Sequence, residues 1–251
     1  MCLVVFAVAP DEQTTLLLAG NRDEFHARPA SPLATWEDDD DVIGGRDLQA
    51  GGTWLAASRS GRFATVTNAR DAVPSSADLR SRGLLVTDFL HSDLSPLAWL
   101  EQLEVDDYAG FNLVLSDGDS VAYGSNRIDR PRQLAPGVYA VSNAVLDTPW
   151  HKVEYARGAL RELLMNALPT DEALFALLRN EQRSDVSEVP ASGLDPDFAH
   201  QLTAPFIINA RYGTRCSTIV RLQRNGGVWL NERRFSAAGE HDGDVVLSVG
   251  R

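Results

Sequence analysis

Cys2 is the residue whose type and position most plainly invite chemistry, because removal of Met1 would leave a thiol and a primary amine on one residue. A thiol with a pKa of about 8.5 becomes a nucleophile near neutrality when a base or cation stands beside it. A free α-amine titrates at about 7.7–8, so it can take the thiol proton without a histidine. Cleavage of Met1 is expected because the second side chain is small. Taken alone, Cys2 reads more readily as a small buried residue of a first strand.

Asn21-Arg22-Asp23-Glu24 alters that balance. Two carboxylates and a guanidinium next to an apolar run need partners. Arg22 can stabilise a thiolate, and Asp23 or Glu24 can hold the α-ammonium or orient the amine. A solvated turn is the competing reading. Asn68 and Asn143 each follow a strand-like run, where a side-chain amide can point at a developing oxyanion or merely form a turn. Arg215, in Tyr212-Gly213-Thr214-Arg215-Cys216-Ser217-Thr218, can bind a substrate carboxylate, support the nucleophile or form a structural ion pair. Cys216 reads as packing. Trp36, Trp54 and Trp150 fit either an apolar pocket or the core. The five histidines are scattered without ligand spacing, so no metal is expected. Gly44-Gly45 and Gly51-Gly52 lack the residues of a phosphate-cradling loop, and there is no Gly-x-Ser-x-Gly elbow. No cofactor is expected.

The elements that must position these residues follow from pattern. Residues 2–9 and 14–20 read as two strands joined by the turn sequence Pro10-Asp11-Glu12-Gln13. A tight hairpin would make paired residue numbers sum to 23, with Cys2 opposite Asn21 and the polar tetrapeptide beside the N-terminus. Residues 51–57 and 62–68 read as a second pair, after a loop of acidic residues at 37–41. Helices are expected over 79–91, 94–103, 150–167 and 171–179. A hairpin turns at Asp117-Gly118, a strand covers 138–142, and a polar loop covers 181–203. Residues 214–222 and 228–235 pair around Asn225-Gly226, and 244–249 close the chain. Strands at both ends with helical blocks between them predict an α+β, four-layer αββα sandwich, read as one domain over 1–251.

Composition limits the partners. The 251 residues carry a formal net charge of −12, which disfavours nucleic acid and anionic membrane surfaces. No apolar run is long enough for a transmembrane helix, and the apolar start lacks the basic residues of a signal peptide. Two cysteines make no disulfide framework, so a cytoplasmic protein with reduced thiols is expected.

The ordered set Met1-Cys2, Gly20-Asn21-Arg22-Asp23-Glu24-Phe25, Gly51-Gly52-Thr53-Trp54, Thr67-Asn68-Ala69-Arg70, Ser142-Asn143, Asp147-Thr148-Pro149-Trp150-His151-Lys152 and Tyr212-Gly213-Thr214-Arg215 resembles the NRDE family, also called the transport and Golgi organisation 2 family. The resemblance runs from Cys2 to about Thr218, with Cys216 standing where a serine is more usual. It implies a fold like the N-terminal nucleophile hydrolases and, more distantly, a similarity to cysteine amidases acting on penicillin V and conjugated bile salts. It further implies Cys2 as nucleophile with Arg22, Asp23, Asn68, Asn143 and Arg215 as catalytic residues; Asn21, Glu24, Trp54 and Arg70 are the candidate substrate contacts beside them. Those amidases place Arg three residues before Asp, whereas Arg22 and Asp23 are adjacent here. The expected reaction is hydrolysis of a non-peptide amide in a small acylated molecule. The alternative is a non-catalytic carrier of an apolar ligand, as in the lipid or haem handling associated with eukaryotic relatives.

Overall fold

The two apolar runs at the start of the chain do build a hairpin, and the rest of the molecule is assembled around it. A computed structural model describes residues 2–70 and 79–250; the expected loss of Met1 concerns a residue outside these. In chain order the elements are β1 (Cys2–Val8), β2 (Thr14–Phe25), β3 (Ala30–Thr35), β4 (Val42–Asp47), β5 (Leu55–Ser58), β6 (Phe63–Asn68), α1 (Gly83–Leu90), α2 (Pro96–Glu101), β7 (Phe111–Ser116) and β8 (Val121–Ser125). They continue with β9 (Arg132–Gln133), β10 (Gly137–Val141), α3 (His151–Leu164), α4 (Asp171–Leu178), α5 (Pro196–Gln201), β11 (Tyr212–Gln223), β12 (Val228–Phe235) and β13 (His241–Val249).

Two antiparallel sheets result. The first has the order β10-β1-β2-β11-β12-β13 and the second β3-β4-β5-β6-β7-β8-β9. Because successive strand residues face opposite sides, β1 and β2 each supply two apolar faces. Val4, Phe6, Val8, Leu16 and Leu18 meet Leu55, Phe63, Val114 and Tyr123 of the second sheet. Leu3, Val5, Ala7, Leu17 and Ala19 pack instead on Val153, Ala156 and Leu160 of α3 and Leu174 and Leu178 of α4. Leu85, Val86 and Phe89 of α1 cover the outer face of the second sheet. The architecture is the expected four-layer αββα sandwich.

The hairpin register differs from the expected one by a residue. Cys2 pairs with Arg22 and Leu3 with Asn21, so paired numbers sum to 24. The loop is one residue longer than a tight four-residue turn: Ala9 N–H bonds Thr15 O at 2.9 Å, with Ala9 at φ 47°. Asp11 Oδ1 accepts from the Gln13 and Thr14 amides inside it. Since a one-residue slip moves every side chain to the other face, this shift decides which members of the tetrapeptide share a side with Cys2.

Three further differences are local. The segment around the acidic loop contains two strands, β3 and β4, joined antiparallel. The helix expected from residue 79 begins at Gly83, and that expected from 150 to 167 ends at Leu164. The polar stretch 181–203 carries α5, started by Pro196 and capped by the Asp195 side chain on Phe198 N–H at 3.0 Å.

Candidate active site

The Cys2–Arg22 pair lies at the end of the first sheet, where the space between the sheets opens into a cleft of about 360 Å³. Alternation puts Cys2, Arg22 and Glu24 on the face toward the second sheet, with Asn21 and Asp23 on the face toward the helices. Arg22 is 6% exposed, and its guanidinium lies 4.3 Å from the centre of the Trp54 ring. That contact depends on Gly45, where a Cβ would come within 2.2 Å of the Trp54 ring. Trp54, Glu24 and Asn68 line the cleft together with Cys2, Arg22 and Asp23.

Asp23 is 1% exposed and pairs with Thr214 of β11. Thr214 Oγ1 donates to Asp23 Oδ1 at 2.7 Å, and Tyr212 OH donates to the Asp23 carbonyl at 2.7 Å. Burial pushes the Asp23 carboxyl up to about 6, opposed first by the charge of Lys152 and also by the Thr214 hydrogen bond. The carbonyl of Cys2 accepts from Ser142 Oγ at 2.8 Å, which anchors the chain start to the segment after β10.

Other expected residues are placed differently. Asn21 is 2% exposed; its amide donates at 2.9 Å to both Leu178 O and Pro205 O, and its oxygen accepts from Ser217 Oγ at 2.6 Å. It ties β2 to the end of α4 and does not line the cleft. Asn143 sits behind the wall, donating to Asn68 O at 2.8 Å, while its carbonyl accepts from Arg70 N–H. Arg70 lies on the far side, 5.2 Å from the Trp150 ring centre. Arg215 falls at a bulge in the β2–β11 ladder, and its Nη1 reaches the carbonyls of Phe25, His26 and Arg28. It fixes the loop after β2 rather than facing Cys2.

Four residues absent from the sequence-based set complete the site. Arg28 pairs with Asp47 at 2.7 Å on the rim. Arg82 lines the cleft and donates to Gly110 O at 3.0 Å. It is brought there by a close approach of two glycines: a Cβ on Gly52 would lie 2.4 Å from the Gly83 carbonyl carbon, and Thr53 N–H bonds Gly83 O at 3.2 Å. Thr214 holds Asp23. Lys152, the second residue of α3, is 2% exposed. A signal for Lys152 was present in the sequence, because it precedes the buried Ala156 and Leu160 by four and eight residues, in phase with the apolar stripe. Arg82 carried no such signal, since only the Gly52–Gly83 contact brings it near.

Among the described residues no group of three or more His, Cys, Asp or Glu side chains is arranged to hold a metal ion, and no helix is long and apolar enough to cross a membrane. The arrangement gathers a thiol, a stacked guanidinium and a buried carboxylate around the start of the chain.

Comparison with known proteins gives two kinds of likeness. A family profile described as Transport and Golgi organisation 2 matches residues 1–237. The chain is 33% identical to the Transport and Golgi organization 2 homolog of Mus musculus over 93% of this chain and 92% of that protein. It is 32% identical to the corresponding homolog of Homo sapiens, with the same coverage. Among solved structures, the C2A mutant of a conjugated bile acid hydrolase from Clostridium perfringens superposes with a TM-score of 0.59 at 10% identity, covering 98% of this chain and 92% of that one. The last likeness is one of fold.

Proposed function

We propose, for a chain that belongs to the transport and Golgi organisation 2 family, that it is an N-terminal cysteine amidohydrolase acting on a non-peptide amide of a small acylated molecule. The observation that carries this reading is the Cys2–Arg22 cross-strand pair at the mouth of the cleft, with Asp23 buried on the opposite face of the same strand. Of the two cysteines that pair with Arg22, Cys2 is the one that opens onto the cleft. The bile acid hydrolase of similar fold was solved as a C2A mutant, which fits a functional cysteine at the same position.

Loss of Met1 frees the α-amine of Cys2. That amine takes the thiol proton, and Sγ attacks the amide carbonyl carbon to form a tetrahedral adduct. Arg22 stabilises the thiolate before attack. The Asn68 side chain, at the cleft wall, donates to the oxyanion. The amine then returns the proton to the leaving nitrogen as the C–N bond breaks, leaving a thioester. Water, deprotonated by the same amine, attacks the thioester carbonyl; the C–S bond breaks and the free acid departs. Asp23 orients the amine throughout. Both cysteines are free, in keeping with a reducing, cytoplasmic setting.

The placement of Asn143 and Arg215 favours a second reading, a carrier on the same scaffold. Both belong to the machinery implied by the family resemblance, yet each is committed to backbone carbonyls. One experiment separates the two. A panel of N-acyl amino acids, lactams and steroid-acid amides is incubated with the protein and with Cys2→Ser. Release of free acid by the wild type and not by the variant is the amidase result. Saturable binding of an acyl compound without release, unchanged in Cys2→Ser, establishes the carrier.

A further inference from the structure

Lys152 is a costly residue in its position. Its side chain is buried, and Nζ has no hydrogen-bond partner among the described residues. An ammonium withdrawn from water without a partner opposes folding. It also stands in the first turn of α3, at the end of the helix dipole that repels cations. The neighbouring positions Val153, Ala156 and Leu160 are apolar and buried, so a methionine at 152 would continue that stripe. A residue kept against these penalties points to a role for its charge.

The charges around Lys152 define that role. Asp23 lies on the helix-facing side of β2, Lys152 lies in phase with the α3 stripe that packs on that side, and the charges that reach the ammonium are those of Asp23, of Cys2 at the start of β1 and of Arg70 after β6. Beyond Asp23 stand Arg22 on the same strand and Thr214 on β11. We propose that Lys152 is the positioning residue of the Cys2 centre, its buried ammonium keeping the Asp23 carboxylate charged so that the carboxylate grips the freed α-amine beside the thiol. This rests on the N-terminal nucleophile reading. The electrostatics agree: burial lowers the pKa of Lys152 and raises that of Asp23, and each charge offsets the shift of the other. Lys152 does not touch substrate in this scheme. It acts through Asp23.

The test follows the rate at which a neutral thiol-directed electrophile labels Cys2 between pH 5 and 8. Wild-type protein, Lys152→Met, Lys152→Arg, Asp23→Asn and the double variant Asp23→Asn/Lys152→Met are compared. Asp23 titrates at about 6 in the wild type, so labelling should fall as pH drops through that value. Removing a neighbouring positive charge raises a carboxyl pKa, so Lys152→Met should move this acid limb upward by about one pH unit, a roughly fivefold slowing at pH 6. Lys152→Arg should hold the limb near its original place. The double variant should be no slower than Asp23→Asn, because both changes remove one linkage. Lys152→Gln is read in parallel and serves if the methionine variant does not fold. An unchanged limb in folded Lys152→Met or Lys152→Gln, with or without a fall in melting temperature, overturns the inference alone. Failure of the wild type to show selective Cys2 labelling overturns this inference together with the amidase reading.

Discussion

Cys2 and Cys216 flank one arginine, and their surroundings differ in every respect that governs thiol chemistry. Both pair directly with Arg22 across the first sheet, Cys2 from β1 and Cys216 from β11. Cys2 stands at the cleft and is partly exposed. Cys216 is 5% exposed, and burial pushes its thiol pKa well up, with the negative charge of Glu232 adding to the effect. Glu232 is itself raised by burial and accepts from Leu33 N–H at 2.8 Å. The same cross-strand neighbour therefore serves two thiols, and access together with the adjacent carboxylate separates them. A cation next to a cysteine does not by itself make a nucleophile.

The largest expected effect concerns this contrast. Cys216→Ser should leave the rate of electrophile labelling within about twofold, whereas Cys2→Ala should slow total labelling by about 100-fold. Comparable losses from the two substitutions would erase the distinction between the sites.

Asp23 sharpens the comparison through pH. Its carboxyl is raised in the folded state, so the stability it contributes is fully present below the unfolded value of 3.8 and is lost as pH rises through about 6. Asp23→Asn removes that dependence. The stability of the variant relative to wild type should then climb by up to about 3 kcal/mol between pH 4 and pH 7, measured by urea unfolding. A difference that stays flat, or slopes the other way, contradicts the burial assigned to Asp23.

Asn21 tests the two faces of β2. Its three hydrogen bonds are structural, so Asn21→Ala should destabilise the protein by about 2 kcal/mol while leaving the relative labelling of Cys2 and Cys216 unchanged. Loss of Cys2 selectivity without loss of stability would return Asn21 to the site. The smallest effect is expected at Trp54, where Trp54→Leu removes the ring under Arg22. About 1 kcal/mol of cation–π contact should be lost, seen as a few-fold change in Cys2 labelling.

The layers were legible in the sequence because the continuous apolar runs of β1 and β2 mark strands buried on two faces, and a chain with strands at both ends and helices between has few ways to cover them. Register was not legible: one extra loop residue, closed by Ala9 and Thr15, moved Arg22 rather than Asn21 opposite Cys2. Strands β3 and β4 were hidden because Gly44 and Gly45 weaken a strand pattern, and their purpose, space for the Trp54 ring and for β5, is tertiary. That Cys2, Arg22 and Asp23 would lie together was legible from type and proximity in a hairpin. Arg215 and Asn143 looked equally suitable, but what their side chains bond depends on a bulge and on a neighbouring carbonyl, neither of which leaves a mark in the sequence. Lys152 left a mark, a charge in phase with an apolar stripe, that a search for nucleophiles and bases passes over.

The central claim concerns what occupies the start of the mature chain. Intact-mass analysis combined with a cyanobenzothiazole reagent, which condenses only where an amine and a thiol share one terminal residue, reads both groups at once. Loss of Met1 with stoichiometric condensation at Cys2 is the predicted result. A chain that retains Met1 and remains unreactive toward the reagent, yet is active, would contradict the account.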